Sequence, residues 1–185
     1  GYGFGKEGPM AALPGQDLLA QSFSGFAMSG VEKGETPRFS NSPVIDYTTA
    51  VTLTQGIMAA LIERQRSGKG QLVTTSLLDV ALNTQMTEVA GWAVRGVRAS
   101  WLRQSMLFET ADGWMMVLTL FRDNPLQLLC KAFGVDDLST QIDFITREQQ
   151  VERLEVIRAG FAPLFRSRTT AECARLLTEV DILFS

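Results

Sequence analysis

The chain has 185 residues, 45% of them hydrophobic, with 17 Lys and Arg against 20 Asp and Glu, no His, and a formal net charge of −3. That length and apolar content suit one or two globular pieces with a real core and exclude a disordered polypeptide. The acidic balance without any basic tract argues against a nucleic-acid partner, and no apolar run nears the roughly 20 residues of a bilayer span. No signal-peptide pattern opens the chain, so a soluble, cytoplasmic protein that does not enter membranes is expected.

Residues 1–15, GYGFGKEGPMAALPG, are punctuated by glycine and proline and read as a long loop, without the strand and helix context of a dinucleotide fingerprint. Residues 16–29 follow as a helix, with Leu18, Leu19, Ser22, Phe23 and Phe26 recurring on one face, Asp17 near its start and Gly30 past its end. Phe23 and Phe26 are expected in the core, and Asp17 is expected to cap the helix. A polar connection, residues 31–43, then leads to Asp46.

Pro43 closes that connection, and Thr48, Thr49, Leu53, Ile57, Ala60 and Leu61 then recur at helical spacing, so Asp46 is expected to be the N-cap of a long helix. The positive end of a helix dipole favours a negative charge there, and a carboxylate held at a helix tip can also act as a nucleophile. Arg64, Arg66 and Gly68 mark the other end. SGKGQ makes a turn around Lys69 into a short strand at residues 72–75, and residues 77–94 form a second long helix with Asp79 as a capping candidate. The basic stretch RGVRASWLRQS reads as a link between domains. Its Arg95, Arg98 and Arg103 are either solvated linker charges or contacts for phosphate or carboxylate groups.

From Met106 the pattern changes to alternation over two short runs around Ala111-Asp112-Gly113, the signature of a β-hairpin. Helices are expected at about residues 124–133, 147–165 and 169–180, with Pro163 ending or kinking the second and Thr169 and Glu172 opening the third. Cys130 and Cys173 fall on apolar helix faces without metal-ligand spacing and are expected to be buried thiols.

The order Asp46, GIMAALIERQRSGKGQ, LVTTS and LLDVALN resembles the class III CoA-transferases, the CaiB/BaiF family. GYGFGKEGP and PGQDLLAQSFSGFAMSG upstream are similar to the same family, and FETADGWMMVLTL is so more weakly. The resemblance implies an α/β, CaiB/BaiF CoA-transferase-like fold, of which this chain is a mainly helical fragment with a small α+β domain in its second half. Residues 1–80 would belong to the large domain carrying the catalytic Asp46, 81–105 to a helical linker, and 106–185 to the small domain. An N-terminal nucleotide-recognising segment and a C-terminal return would lie outside the chain.

The implied activity is transfer of coenzyme A from an acyl-CoA to a carboxylic acid through an aspartyl anhydride and an aspartyl-CoA thioester on Asp46. CoA thioesters would be substrates, with no resident cofactor and no metal, and the full-length protein would be an interlocked homodimer. Gln16 and Asp17 stand where related α-methylacyl-CoA racemases have His followed by Asp. A racemase needs two groups that exchange protons, and a chain without histidine lacks one of them, so transfer is preferred over racemisation. Gln16, Asp17 and Arg98 are the candidate substrate-binding and CoA-binding residues. The Gln16 amide and the helix-tip amides beside Asp46 are the candidate oxyanion donors. A non-catalytic scaffold is the remaining alternative. A glycine-rich lid found in some family members has no counterpart between Arg98 and Phe108.

Overall fold

The computed structural model describes residues 2–31, 34–96, 105–119 and 121–185, and its contacts fall into two units, Gly1–Ser100 and Trp101–Ser185. In the first unit, α1 (Asp17–Phe23) begins where the Gln16 side chain accepts the Leu18 amide at 3.0 Å. The helix is shorter than the spacing of its apolar residues predicts, because Gly25, with φ of 80°, reverses the chain into a 3-10 turn at Phe26–Met28. Helix α2 (Val44–Ser67) ends as expected, with Gly68 in the left-handed conformation and Arg64 and Arg66 in the last turn. Helix α3 (Leu77–Thr84) is opened by Ser76, whose hydroxyl accepts the Asp79 amide at 3.0 Å and donates to the Asp79 carboxylate at 2.6 Å.

The single helix expected over residues 77–94 is two. Gln85 leaves helical geometry between α3 and α4 (Met86–Arg95), and its buried amide donates back to the Ala81 carbonyl at 3.1 Å. The strand expected at residues 72–75 does not form. An isolated bridge pairs Tyr2 with Ser76, and the Tyr2 amide donates to the Thr75 carbonyl at 3.0 Å. The buried core of this unit is small, Ala20, Ile45 and Ala81, with Phe26, Val44 and Leu77 packed against it. Phe23 is not in that core. It is 56% exposed and meets Phe4 edge-on at 5.4 Å. Helix α2 mixes apolar and polar residues around its circumference and leaves the large apolar side chains Tyr47, Val51, Met58 and Ile62 exposed. Among the described residues no helix is long and apolar enough to cross a membrane.

In the second unit, β1 (Ser105–Glu109) and β2 (Trp114–Leu118) form the expected antiparallel hairpin, with Glu109 opposite Trp114 across the turn. The apolar terminal run supplies a strand that the sequence pattern did not announce: β3 (Leu183–Phe184) pairs with β2, giving the order β1-β2-β3. Helix α5 (Pro125–Phe133) is capped by Asn124. The helix expected over residues 147–165 is divided at Arg153 into α6 (Arg147–Glu152) and α7 (Leu154–Arg166). Pro163 lies inside α7 and does not end it: the helix runs on to Arg166, and the Pro163 carbonyl accepts the Ser167 amide at 3.1 Å. Helix α8 (Thr170–Glu179) opens with the expected capping box of Thr169 and Glu172. The core is larger than that of the first unit: Phe108 stacks on Phe165 at 4.0 Å, and Phe133 packs against Phe161 and Phe165. Cys130 and Cys173 lie inside it as free thiols, and burial pushes both up from the ordinary thiol range.

Two measurements test this account of the two units. The Asp112 carboxylate is held below the ordinary value of 3.8, first by the Thr170 amide and then by the Thr170 hydroxyl. Hydrogen bonds from Ser139 hold Asp137 below 3.8, and the Thr169 amide holds Glu172 below 4.5. A depressed folded pKa gives stability that is complete above the unfolded value and is lost as pH falls through the folded one. Denaturant unfolding followed by circular dichroism is therefore expected to give a midpoint that falls as pH is lowered through the range where these carboxylates protonate, with a shallower acid dependence in Asp112→Asn. An unchanged acid profile in that variant would contradict the assignment. In the first unit, a Cβ on Gly15 would lie 2.1 Å from the Gly3 Cα. Gly15→Ala should cost roughly 1–3 kcal/mol in denaturant unfolding, and a neutral result would overturn the close approach.

Candidate functional site

Asp46 occupies the third helical position of α2, not its cap. The N-cap residue is Pro43, which makes no side-chain cap bond, so the first free amides of α2 need an acceptor from elsewhere. Asp17 supplies it. Its Oδ2 accepts the Ile45 amide at 2.8 Å and the Asp46 amide at 2.9 Å. Asp17 therefore caps α2 rather than α1, whose own cap is Gln16.

The arrangement extends inward. Asp17 is 2% exposed and Gln21 is fully buried one turn later on the same face of α1. The Gln21 Nε2 donates to Asp17 Oδ1, while its Oε1 accepts the Ser40 amide at 2.9 Å. A backbone amide can only donate, so the Ser40 bond fixes which way the Gln21 amide points. Every partner of Asp17 is a donor, and the position is built for an acceptor-only carboxylate.

The remaining amides at the start of α2 are also engaged. Val44 donates to the Ser42 carbonyl at 2.7 Å and Tyr47 to the Pro43 carbonyl at 3.1 Å. The helix-tip amides expected to face an oxyanion are thus already bonded, those of Ile45 and Asp46 to Asp17. The Asp46 carboxylate is exposed and has no hydrogen-bond or ion-pair partner among the described residues. Gln16 is exposed too and directly precedes Asp17. With its oxygen held by the Leu18 amide, its NH2 group has no partner among the described residues.

Of the arginines singled out in the linker, Arg98 and Arg103 lie outside the described residues, and Arg95 is the exposed last residue of α4. Among the described residues, the second unit has a water-sized cavity lined by Met106, Leu126 and Gln150 and another of about 350 Å³ lined by Lys131, Phe133, Arg168 and Arg175. Asp46 borders neither. Sequence reasoning singled out Asp17 but not its partner Gln21. The signal for Gln21 was its spacing from Asp17, which places two polar residues on the face of α1 that also carries Ala20.

The profile of CoA-transferase family III matches residues 1–185, the whole chain. An acyl-CoA transferase of Fusarium pseudograminearum is 31% identical over 98% of the chain and 41% of its own length. Human α-methylacyl-CoA racemase is 24% identical over 97% of the chain and 48% of its own length. A hypothetical protein of Mycobacterium tuberculosis, known from its crystal structure, superposes with a TM-score of 0.84 at 23% identity, covering 100% of this chain and 50% of that one. The chain thus spans less than half the length of these curated relatives. With the family profile matched from end to end and the same fold in a solved structure, the chain belongs to CoA-transferase family III.

Proposed function

We propose that the protein carrying this chain transfers coenzyme A from an acyl-CoA to a carboxylic acid, with Asp46 as the nucleophile. The observation that carries the reading is a family III chain with an exposed, unpaired carboxylate on the first turn of a long helix. A carboxylate without a hydrogen-bond partner keeps its lone pairs for attack.

The chemistry balances without a net proton or electron. An Asp46 oxygen attacks the thioester carbon of the donor, the C–S bond breaks, and an acyl-aspartyl anhydride and CoA thiolate result. The thiolate then attacks the aspartyl carbonyl, expelling the donor acid and leaving Asp46 as a thioester of CoA. The acceptor carboxylate attacks that thioester and releases the thiolate again. Attack of the thiolate on the acceptor carbonyl of the new anhydride forms the product acyl-CoA and restores Asp46. Each addition places charge on a tetrahedral oxygen that needs a fixed donor. The NH2 group of Gln16 is the donor we assign, since the α2 amides are engaged. CoA thioesters are substrates here and not resident cofactors. The walls around Asp46, which the cavities of the second unit do not provide, come from further polypeptide of this protein, including a second copy in a homodimer. The exposed apolar side chains of α2 fit such a covering.

Racemisation of an acyl-CoA is the second reading, favoured by the similarity to the human racemase. It requires acid and base groups on both faces of the substrate, and Gln16 exchanges no proton. Proton exchange at the α-carbon in deuterated water without any acyl transfer would select it.

In mass spectrometry of the protein incubated with an acyl-CoA, a CoA adduct is expected on the peptide carrying Asp46. Asp46→Ala should abolish both adduct and transfer while changing stability by no more than about 1 kcal/mol, since the side chain is exposed and unpaired. Transfer activity surviving in Asp46→Ala would overturn the assignment.

A further inference from the structure

The Asp46 side chain makes no bond that orients it, so its position is set by the backbone of the first turn of α2 alone. That turn is held from outside its own helix. Asp17 accepts the amide of Asp46 itself and that of its neighbour Ile45, Gln21 fixes the other oxygen of Asp17, and Ser40 fixes the Gln21 amide. Both acidic and amide side chains are buried, at 2% and 0% exposure, against the core of Ala20, Ile45 and Ala81. Helix starts without such a cap fray.

We propose that Asp17 and Gln21 are positioning residues for Asp46: a buried polar relay running from Ser40 through Gln21 and Asp17 clamps the first turn of α2 and aims the nucleophile. This rests on the reading of Asp46 as the nucleophile. The relay has a defined polarity. Reading outward from Ser40, each link is a donor facing an acceptor, and the order is set at both ends by backbone amides that can only donate. Neither position tolerates a change of polarity alone. In Asp17→Asn, an NH2 group must face either the Gln21 NH2 or the backbone amides. In Gln21→Glu, a carboxylate oxygen faces the Asp17 carboxylate.

Combining the two changes restores every link. The position-17 amide oxygen accepts the Ile45 and Asp46 amides, its NH2 donates to the position-21 carboxylate, and the second oxygen of that carboxylate accepts the Ser40 amide. The double variant has the same net charge and nearly the same volume as the parent.

The test measures kcat and KM for CoA transfer from an acyl-CoA to a carboxylate, with the adduct yield on Asp46, in the intact protein below the unfolding midpoint of each variant. Each single change is expected to lower kcat about a hundredfold, the scale of an ångström-level misplacement, with KM altered far less. The double change is expected to return kcat to within about tenfold of the parent. Singles that keep the parental kcat, losses that merely follow the folded fraction, or a folded double variant without recovery would each overturn the relay. If neither single folds, Gln21→Met, which introduces no donor or acceptor, decides the matter: a kcat loss of about tenfold supports the relay and an unchanged kcat overturns it. Asp46→Ala is assayed in parallel. Transfer lost there but intact in the Asp17 and Gln21 variants refutes the relay only, whereas transfer intact in Asp46→Ala refutes the nucleophile as well.

Discussion

At the start of α2 the amides of Ile45 and Asp46 have no partner within their own helix, and a carboxylate reaching across from α1 is what satisfies them. Burying a charge this way carries a desolvation cost of several kcal/mol. It is offset by the bonds from Ile45, Asp46 and Gln21, each worth about 1.5–3 kcal/mol when one partner is charged. The small core of Ala20, Ile45 and Ala81 sits directly beneath. In a unit with so little apolar packing, this polar junction fixes how α1 and α2 meet.

The same junction decides what the helix tip can and cannot do. An open helix N-terminus is a ready anion site, but here its amides are occupied, by Asp17 and by the Ser42 and Pro43 carbonyls. The tip therefore presents a carboxylate rather than a cradle for phosphate or for an oxyanion. In the proposed reaction, stabilisation of charge on a reacting carbonyl would fall to side chains such as Gln16, the N-cap of α1 that directly precedes Asp17. In this account Asp17, buried and bonded on both oxygens, is structural, while Asp46, exposed and unpaired, is chemical. The two acidic residues thus lie in opposite environments, one buried and bonded, the other exposed and unpaired.

Much of the fold was legible because it follows from local chemistry. Gly68 and the arginines before it stop α2, the Asp112-Gly113 turn makes the hairpin, and Thr169 with Glu172 opens α8. What the sequence concealed depends on contacts distant in the chain. Asp46 looked like a cap because it is acidic and stands before a periodic run, but the real cap lies 29 residues upstream, and no local pattern reports that distance. The breaks at Gln85 and Arg153 interrupt continuous periodicity without a glycine or proline to mark them. The strand at Leu183–Phe184 is too short to show alternation and exists only because β2 offers an edge. The second unit was easier to read than the first because its aromatic core, Phe108, Phe133, Phe161 and Phe165, is contained within one stretch of chain. The exposure of Tyr47, Val51, Met58 and Ile62 on α2, by contrast, is not announced by local patterning.

Asp46 as the covalent carrier is tested most directly by following oxygen atoms. If the acceptor acid is labelled with the heavy oxygen isotope in both carboxylate positions, breakdown of the second anhydride leaves one labelled oxygen on Asp46, and later turnovers pass it to the released donor acid whenever the labelled oxygen is the one that attacks. The account predicts label in the Asp46 carboxylate after turnover, and then in the donor acid. Product acyl-CoA formed while the Asp46 carboxylate stays unlabelled would contradict it.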